Sequence, residues 1–174
     1  MTDSGNSHVI RVLYVEDNEF DRELVAQVLE RDGFALEIVT ADNEADFRSS
    51  LERPDFDLIL SDFTLPQFSG DHALTLAREL RPEIPFLFFS GTIGEERAVA
   101  SLRAGAVDYV LKQNLDRLPS AIRRALREAS QKAENKQASL RLAELAQRMH
   151  LLLESSGEGI YGTDRQGRCT FLNR

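Results

Sequence analysis

A few acids and one lysine of this chain each stand directly after an apolar run, where their types could support chemistry. Asp62 follows a short run rich in Leu and Ile, Glu16 and Asp17 follow a β-branched run, and Lys112 follows a third. Carboxylates bind hard divalent cations and can act as nucleophiles, while an ammonium group offsets negative charge. A carboxylate that ends a buried strand is unusual enough to indicate a role of this kind.

The segments that must position these residues alternate between two kinds. Five apolar runs predict strands, and four segments between them carry apolar residues at helical spacing. The predicted strands are 9–15, 36–40, 58–61, 84–89 and 107–111; the predicted helices are 20–32, 45–51, 71–80 and a helix entered through a capping box at 92–95 that ends near 104.

This alternation predicts an α/β fold, a five-stranded parallel doubly wound sheet with helices on both faces. Ligands of such folds bind outside the carboxyl ends of the strands. Those ends carry Glu16, Asp17, Asp62, Ser90 and Lys112. We therefore expect these polar side chains to meet at one edge of the sheet.

Charge is distributed unevenly along the 174 residues, whose net charge is -8. Residues 1–119 hold 11 Lys and Arg against 23 Asp and Glu, whereas 120–150 hold 7 against 3. An acidic first domain favours cations and argues against direct binding of nucleic acid. The single cysteine, Cys169, excludes an internal disulfide, and no apolar run is long enough to span a membrane, so we expect a cytoplasmic protein.

As an ordered set, these residues resemble the receiver domain of two-component response regulators over roughly residues 8–128. The resemblance also rests on Thr64, two places after Asp62, and on Tyr109, three places before Lys112. Pro66, Gly70 and the Ser-Gly-Thr sequence at 90–92 complete it. It implies a flavodoxin-like receiver fold.

The resemblance implies a role for each residue of the set. Asp62 would be the phosphoacceptor, with Ser90 and Lys112 contacting the phosphoryl group, and Ser90 and Tyr109 would form the switch. Mg²⁺ would be held by Glu16, Asp17, Asp62 and the backbone carbonyl of Thr64. The phosphoryl donor would be a phosphohistidine on a histidine kinase or a phosphotransfer protein. The chain would then catalyse its own phosphorylation and slow dephosphorylation without being a conventional enzyme.

Simpler interpretations stay open for single residues. Asp17 or Asn18 could cap the first helix, Asp62 could be a turn residue, and Lys112 a solvated strand-end lysine. Two other function classes also remain, namely a Mg²⁺-dependent phosphatase with an Asp nucleophile and a dimerisation module with an inactive phosphate site. One departure from the family is Gln113, which stands where Pro is usual after the lysine.

The end of the chain is predicted to differ from the first domain. No Gly or Pro interrupts 120–154, which predicts a long helix that continues the last receiver helix. Its apolar residues change frame along the helix, with Leu142, Leu145, Met149 and Leu152 in the second frame. This pattern predicts a coiled-coil linker and a homodimer, and the alternative is a single solvated helix.

Residues 155–174 read as strand, turn and strand, and they resemble the opening hairpin of a PAS sensory domain. An isolated hairpin is marginally stable, so the chain is expected to be part of a longer protein, with a histidine kinase or a diguanylate cyclase as its output. The expected organisation is a disordered tail at 1–7, a receiver domain at 8–119, the helix at 120–154 and the truncated PAS segment at 155–174.

Overall fold

A computed structural model describes residues 9–53, 55–66, 68–91, 94–155, 157 and 159–172. The chain divides into two compact units, Met1–Ser130 and Gln131–Arg174. None of the described helices is both long and apolar enough to cross a membrane.

The first unit is built on five parallel strands in the order β2-β1-β3-β4-β5. The strands are β1 (Ile10–Val15), β2 (Leu36–Ala41), β3 (Leu58–Ser61), β4 (Phe86–Ser90) and β5 (Asp108–Leu111). The helices are α1 (Glu19–Arg31), α2 (Glu44–Leu51), α3 (Gly70–Leu80), α4 (Glu95–Arg103) and α5 (Leu118–Glu154), the last of which continues into the second unit. The predicted doubly wound fold, with its long C-terminal helix, is confirmed.

Both faces of the sheet are buried, as parallel sheets require. Successive residues of a strand point to opposite faces. Leu13 and Val15 of β1 therefore join a cluster that includes Phe47 of α2, while Tyr14 joins a second cluster that includes Leu29 of α1. The start of α5 covers this second face with Leu118, Ile122 and Ala125. The central strands are thus held between two apolar layers, which fixes where their carboxyl ends lie.

The helix starts resolve the choice between capping residues. Asn18, and not Asp17, caps α1, since its side chain accepts a hydrogen bond from the Phe20 amide at 3.0 Å. Asn43 caps α2 in the same way. The N-cap of α4 is Gly94, and Thr92 of the predicted capping box lies outside the described residues. Asp17 therefore does not cap a helix.

One feature of the connections was not predicted. A 3-10 helix, Lys112–Arg117, joins β5 to α5, with Asn114 in a non-helical conformation at its centre. No described peptide bond is cis, so the bond between Lys112 and Gln113 is trans.

The second unit contains the rest of α5 and a hairpin of β6 (Tyr161–Thr163) and β7 (Cys169–Leu172), which are antiparallel. Asp164 forms the turn, because its Oδ1 accepts hydrogen bonds from the amides of Gln166 and Arg168, both at 2.9 Å. Gly167 adopts a φ of 81°, in the left-handed region that glycine tolerates. The terminal hairpin predicted from the sequence is confirmed.

Candidate functional site

The carboxyl ends of β1, β3 and β4 lie side by side in register. Val15 pairs with Ser61, and Ser61 pairs with Phe88. The Asp62 amide donates to the Val15 carbonyl at 2.9 Å, so Asp62 stands one residue beyond the paired strands. The predicted convergence of strand ends therefore occurs, with Asp62 at its centre.

Asp62 is buried, and both of its carboxylate oxygens are hydrogen-bonded. Oδ1 accepts from the backbone amides of Phe63 and Thr64. Oδ2 accepts from Lys112 Nζ at 2.8 Å. Backbone amides thus fix the orientation of the carboxylate while a cation offsets its charge.

Lys112 binds three carboxylates at once. Its Nζ donates to Glu16 Oε2 at 2.7 Å, to Asp21 Oδ2 at 2.6 Å and to Asp62 Oδ2 at 2.8 Å. Burial disfavours the charged amine, but the hydrogen bonds to Asp21, Asp62 and Glu16 outweigh it and raise the pKa of Lys112 above its ordinary value. Lys112 therefore stays protonated and places a positive charge at this edge of the sheet.

Glu16 is almost fully buried, with 1% of its surface exposed. Its Oε2 accepts from Lys112 and from the Tyr14 hydroxyl at 3.3 Å, and its Oε1 accepts from the Asn18 amide at 3.1 Å. Burial raises the pKa of Glu16, although the bonds from Lys112 and Asn18 act against the rise. Every oxygen of this buried acid is thus hydrogen-bonded, as burial of a charge demands.

Asp17 differs from Glu16 in being exposed, and within the described ranges it forms no hydrogen bond or ion pair. It directly follows Glu16 at the end of β1. Carboxylate oxygens from Glu16, Asp17 and Asp62, with the backbone carbonyl of Thr64, are the hard donors that Mg²⁺ prefers. The chemistry of this donor set fits Mg²⁺.

The acids are nevertheless gathered around an ammonium group. Among the described residues, no group of three or more His, Cys, Asp or Glu is arranged to hold a metal ion. Lys112 instead bonds to Glu16, Asp21 and Asp62. Binding of Mg²⁺ would therefore require these carboxylates to exchange part of their contact with Lys112 for contact with the metal.

Ser90 and Tyr109 lie on the neighbouring strands β4 and β5. Ser90, 1% exposed, is the last residue of β4 and pairs with Leu111, while Tyr109 pairs with Phe88. The Tyr109 hydroxyl is buried without a hydrogen-bond partner among the described residues. Burial, and after it the charge of Asp62, raises the pKa of Tyr109. A buried hydroxyl without a partner destabilises the fold, so a change of side-chain position that gives it a hydrogen bond is favourable.

We expect Tyr109→Phe to leave the free energy of unfolding unchanged or to raise it by up to about 1 kcal/mol, because an unsatisfied buried hydroxyl costs about 1–3 kcal/mol. Tyr14→Phe is the matched control, since the Tyr14 hydroxyl donates to Glu16. The free energy of unfolding of this control should fall by about 1 kcal/mol. Urea unfolding followed by circular dichroism measures both. A larger loss for Tyr109→Phe than for Tyr14→Phe would show that the Tyr109 hydroxyl is satisfied.

Two residues of this network were missed by the sequence analysis. Asp21 and Tyr14 were covered only by the predicted helix at 20–32 and the predicted strand at 9–15, and no role was assigned to either side chain. A signal for Asp21 exists, because it is an acid in the first turn of the helix that directly follows Glu16 and Asp17. For Tyr14 the signal is its spacing, because side chains two residues apart on an extended chain share one face, and Glu16 stands two residues after Tyr14.

Comparisons with known proteins agree with this architecture. The family model of the response regulator receiver domain matches residues 12–123. The response regulator protein FleR of Pseudomonas aeruginosa is 34% identical over 102 residues, which cover 59% of this chain and 21% of FleR. The chemotaxis protein CheY of Bacillus subtilis is 26% identical, and the match covers 67% of this chain and 97% of CheY.

Among solved structures, a response regulator receiver domain protein (CheY-like) from Methanospirillum hungatei JF-1 superimposes with a TM-score of 0.63 at 31% identity. The superposition covers 72% of this chain and 99% of that protein. The chain matches only about a fifth to a quarter of the length of curated relatives such as FleR and the transcriptional regulatory protein ZraR of Salmonella typhimurium.

Proposed function

Since this chain belongs to the response regulator receiver domain family, we propose that Asp62 accepts a phosphoryl group in a two-component phosphorelay. One observation carries the assignment. Asp62 is a buried carboxylate at the carboxyl edge of the sheet, oriented by two backbone amides and bound by Lys112. A nucleophile needs such orientation, because a misplaced carboxylate loses much of its reactivity.

The donor is a phosphohistidine on a histidine kinase or a phosphotransfer protein. An oxygen of the Asp62 carboxylate forms a bond to phosphorus while the phosphorus–nitrogen bond of the donor breaks, and the departing imidazole takes up a proton. Lys112 offsets charge on the transferring group, and Ser90 donates a hydrogen bond to one of its oxygens. The product is an acyl phosphate on Asp62.

Glu16, Asp17, Asp62 and the backbone carbonyl of Thr64 would hold Mg²⁺, which supplies positive charge to the anionic phosphoryl oxygens when it is bound. The exposure of Asp17 and its lack of a partner within the described ranges support its place in this set. Without such a cation, an acidic edge repels an anionic donor.

Phosphorylation is tested by incubating the chain with acetyl phosphate and Mg²⁺ and measuring the intact mass of the chain. A receiver gains the mass of one phosphoryl group, which base removes. A Mg²⁺-dependent phosphatase instead turns over many equivalents of a phosphoester, and a dimerisation module with an inactive site gains no mass. Either of those two results would overturn the proposal.

The switch proposed for Ser90 and Tyr109 has a physical route to α5. The Tyr109 amide donates to Asp108 Oδ1 at 2.8 Å, and the same carboxylate forms ion pairs with Arg117 and with Arg124 of α5. Movement of Tyr109 toward Ser90 would therefore act on a strand that is tied to the first turns of α5. We assign α5 the task of carrying this change out of the receiver.

The second half of α5 supports the proposal of a homodimer through 120–154. Every residue from 131 to 152 is exposed, and large apolar side chains are among them. Leu142, Leu145, Met149 and Leu152, which are 59–68% exposed, recur at intervals of three and four residues. This spacing is typical of the seam of a two-stranded coiled coil.

We expect Leu145→Glu to weaken the dimer by at least about tenfold. Each buried Leu contributes about 1.5–3 kcal/mol and about 1.4 kcal/mol corresponds to tenfold in affinity. Gln147→Glu is the matched control, because it adds the same charge two residues away on another side of the helix. Sedimentation equilibrium measures both. A dimer that survives Leu145→Glu as well as the control would exclude this seam.

The hairpin of β6 and β7 would be the opening of a PAS domain, and the output a histidine kinase or a diguanylate cyclase. The hydrogen-bonded turn at Asp164 and the close packing of Gly162 against the Phe171 ring support a well-defined hairpin. The output is tested in the protein that carries this chain, by measuring autophosphorylation from ATP and cyclic diguanylate formation from GTP.

The acidic first unit is proposed to have no direct role in nucleic-acid binding.

A further inference from the structure

Asp21 takes part in the phosphorylation site although it does not belong to the set of strand-end residues. It is the third residue of α1, and its side chain is 26% exposed. Its Oδ2 accepts the shortest of the three hydrogen bonds from Lys112, at 2.6 Å. The residues lie 91 positions apart, so this contact is made by the tertiary fold.

The number of donors on Lys112 makes this contact significant. A lysine ammonium has three N–H groups, and Glu16, Asp21 and Asp62 accept one hydrogen bond each. A phosphoryl oxygen can therefore gain a hydrogen bond from Lys112 only if one of the three carboxylates gives up its own. Glu16 and Asp62 have further donors, from Tyr14, Asn18, Phe63 and Thr64. Within the described part of the chain, Asp21 has Lys112 alone.

We propose that Asp21 is a positioning residue that holds Lys112 in the unphosphorylated site and thereby slows phosphoryl uptake by Asp62. Asp21 competes with the incoming phosphoryl oxygen for the same ammonium group. Its own negative charge also repels an anionic donor. This inference rests on the proposed function and extends it to a residue that sets the rate.

The first measurement needs neither Mg²⁺ nor a donor. The sequence contains three lysines, and Lys132 and Lys136 lie on the exposed part of α5. In a ¹⁵N-lysine-labelled chain, the ammonium protons of Lys112 should exchange with water more slowly than those of the other two, because three carboxylates hold them. Asp21→Asn should speed this exchange by about threefold or more, since a neutral acceptor forms a weaker hydrogen bond.

The second measurement is the rate of phosphorylation by acetyl phosphate with Mg²⁺. Asp21→Asn should raise it by about threefold to tenfold, the range expected for one partly solvated, hydrogen-bonded charge. Glu19→Gln is the matched control. Glu19 belongs to the same helical turn and is exposed, and among the described residues it has no hydrogen bond or ion pair. Its substitution should change the rate by less than twofold, as expected for a solvent-screened charge.

The two measurements separate the outcomes. Unchanged exchange of the Lys112 protons in Asp21→Asn overturns the inference, and so does a phosphorylation rate no higher than that of Glu19→Gln. Faster exchange together with a faster rate supports it. If the wild-type chain takes up no phosphoryl group, the proposed function has failed, whereas the exchange measurement still reports whether Asp21 holds Lys112.

Discussion

Replacement of Asp62 by Asn is expected to abolish phosphoryl uptake while leaving the fold intact. An amide cannot form the acyl phosphate, because its nitrogen and carbonyl oxygen lack the nucleophilicity of a carboxylate. The side chains have nearly the same shape, and the amide oxygen of Asn can still accept a hydrogen bond from Lys112 or from the backbone amides that Asp62 uses. The loss should therefore be chemical and not structural.

Intact mass after incubation with acetyl phosphate and Mg²⁺ measures this loss. Asp116→Asn is a suitable control, because the Asp116 side chain is 98% exposed and lies in the 3-10 helix after Lys112. The control should gain one phosphoryl group as the wild-type chain does. A phosphoryl adduct on Asp62→Asn would refute the assignment of the phosphoacceptor.

Gly70→Ala is expected to have the largest effect on stability, a loss of about 3 kcal/mol, at the upper end of the range for overpacking. A Cβ at this position would lie 2.6 Å from the Asp62 carbonyl oxygen, 2.8 Å from Phe63 Cα and 2.8 Å from Phe88 Cε1. Two of these three atoms belong to the backbone, which cannot move aside as a flexible side chain does. The clash must therefore displace the loop that carries Asp62.

The same substitution should slow phosphorylation, because the amides of Phe63 and Thr64 orient Asp62 Oδ1. Gly91→Ala is the matched control at the end of β4, where a Cβ would meet nothing within 4 Å. Urea unfolding measures the free energy of unfolding of both variants, which should be about 3 kcal/mol lower for Gly70→Ala than for Gly91→Ala. Equal stability of the two variants would contradict the close packing of Gly70 against the Asp62 loop.

Much of the site follows from the pattern of residues along the chain. Apolar runs that end in acids, in Ser90 and in Lys112 predict strands whose carboxyl ends share one edge, and the sheet order places Asp62 at the centre of that edge. The same pattern predicts the burial of the central strands on both faces. Local chemistry was less decisive. Asp17 and Asn18 are both good caps by type, and only the backbone at the start of α1 selects Asn18.

The sequence by itself determined the fold class, the strand ends and the set of residues that resembles a receiver domain, because hydrophobic periodicity and residue order are local properties of the chain. The tertiary structure alone decided which acids share Lys112. Asp21 reaches it because the packing of α1 beside the 3-10 helix brings together residues 91 positions apart. It also left the Tyr109 hydroxyl without a partner among the described residues, since hydrogen bonding of a buried group depends on every neighbour around it.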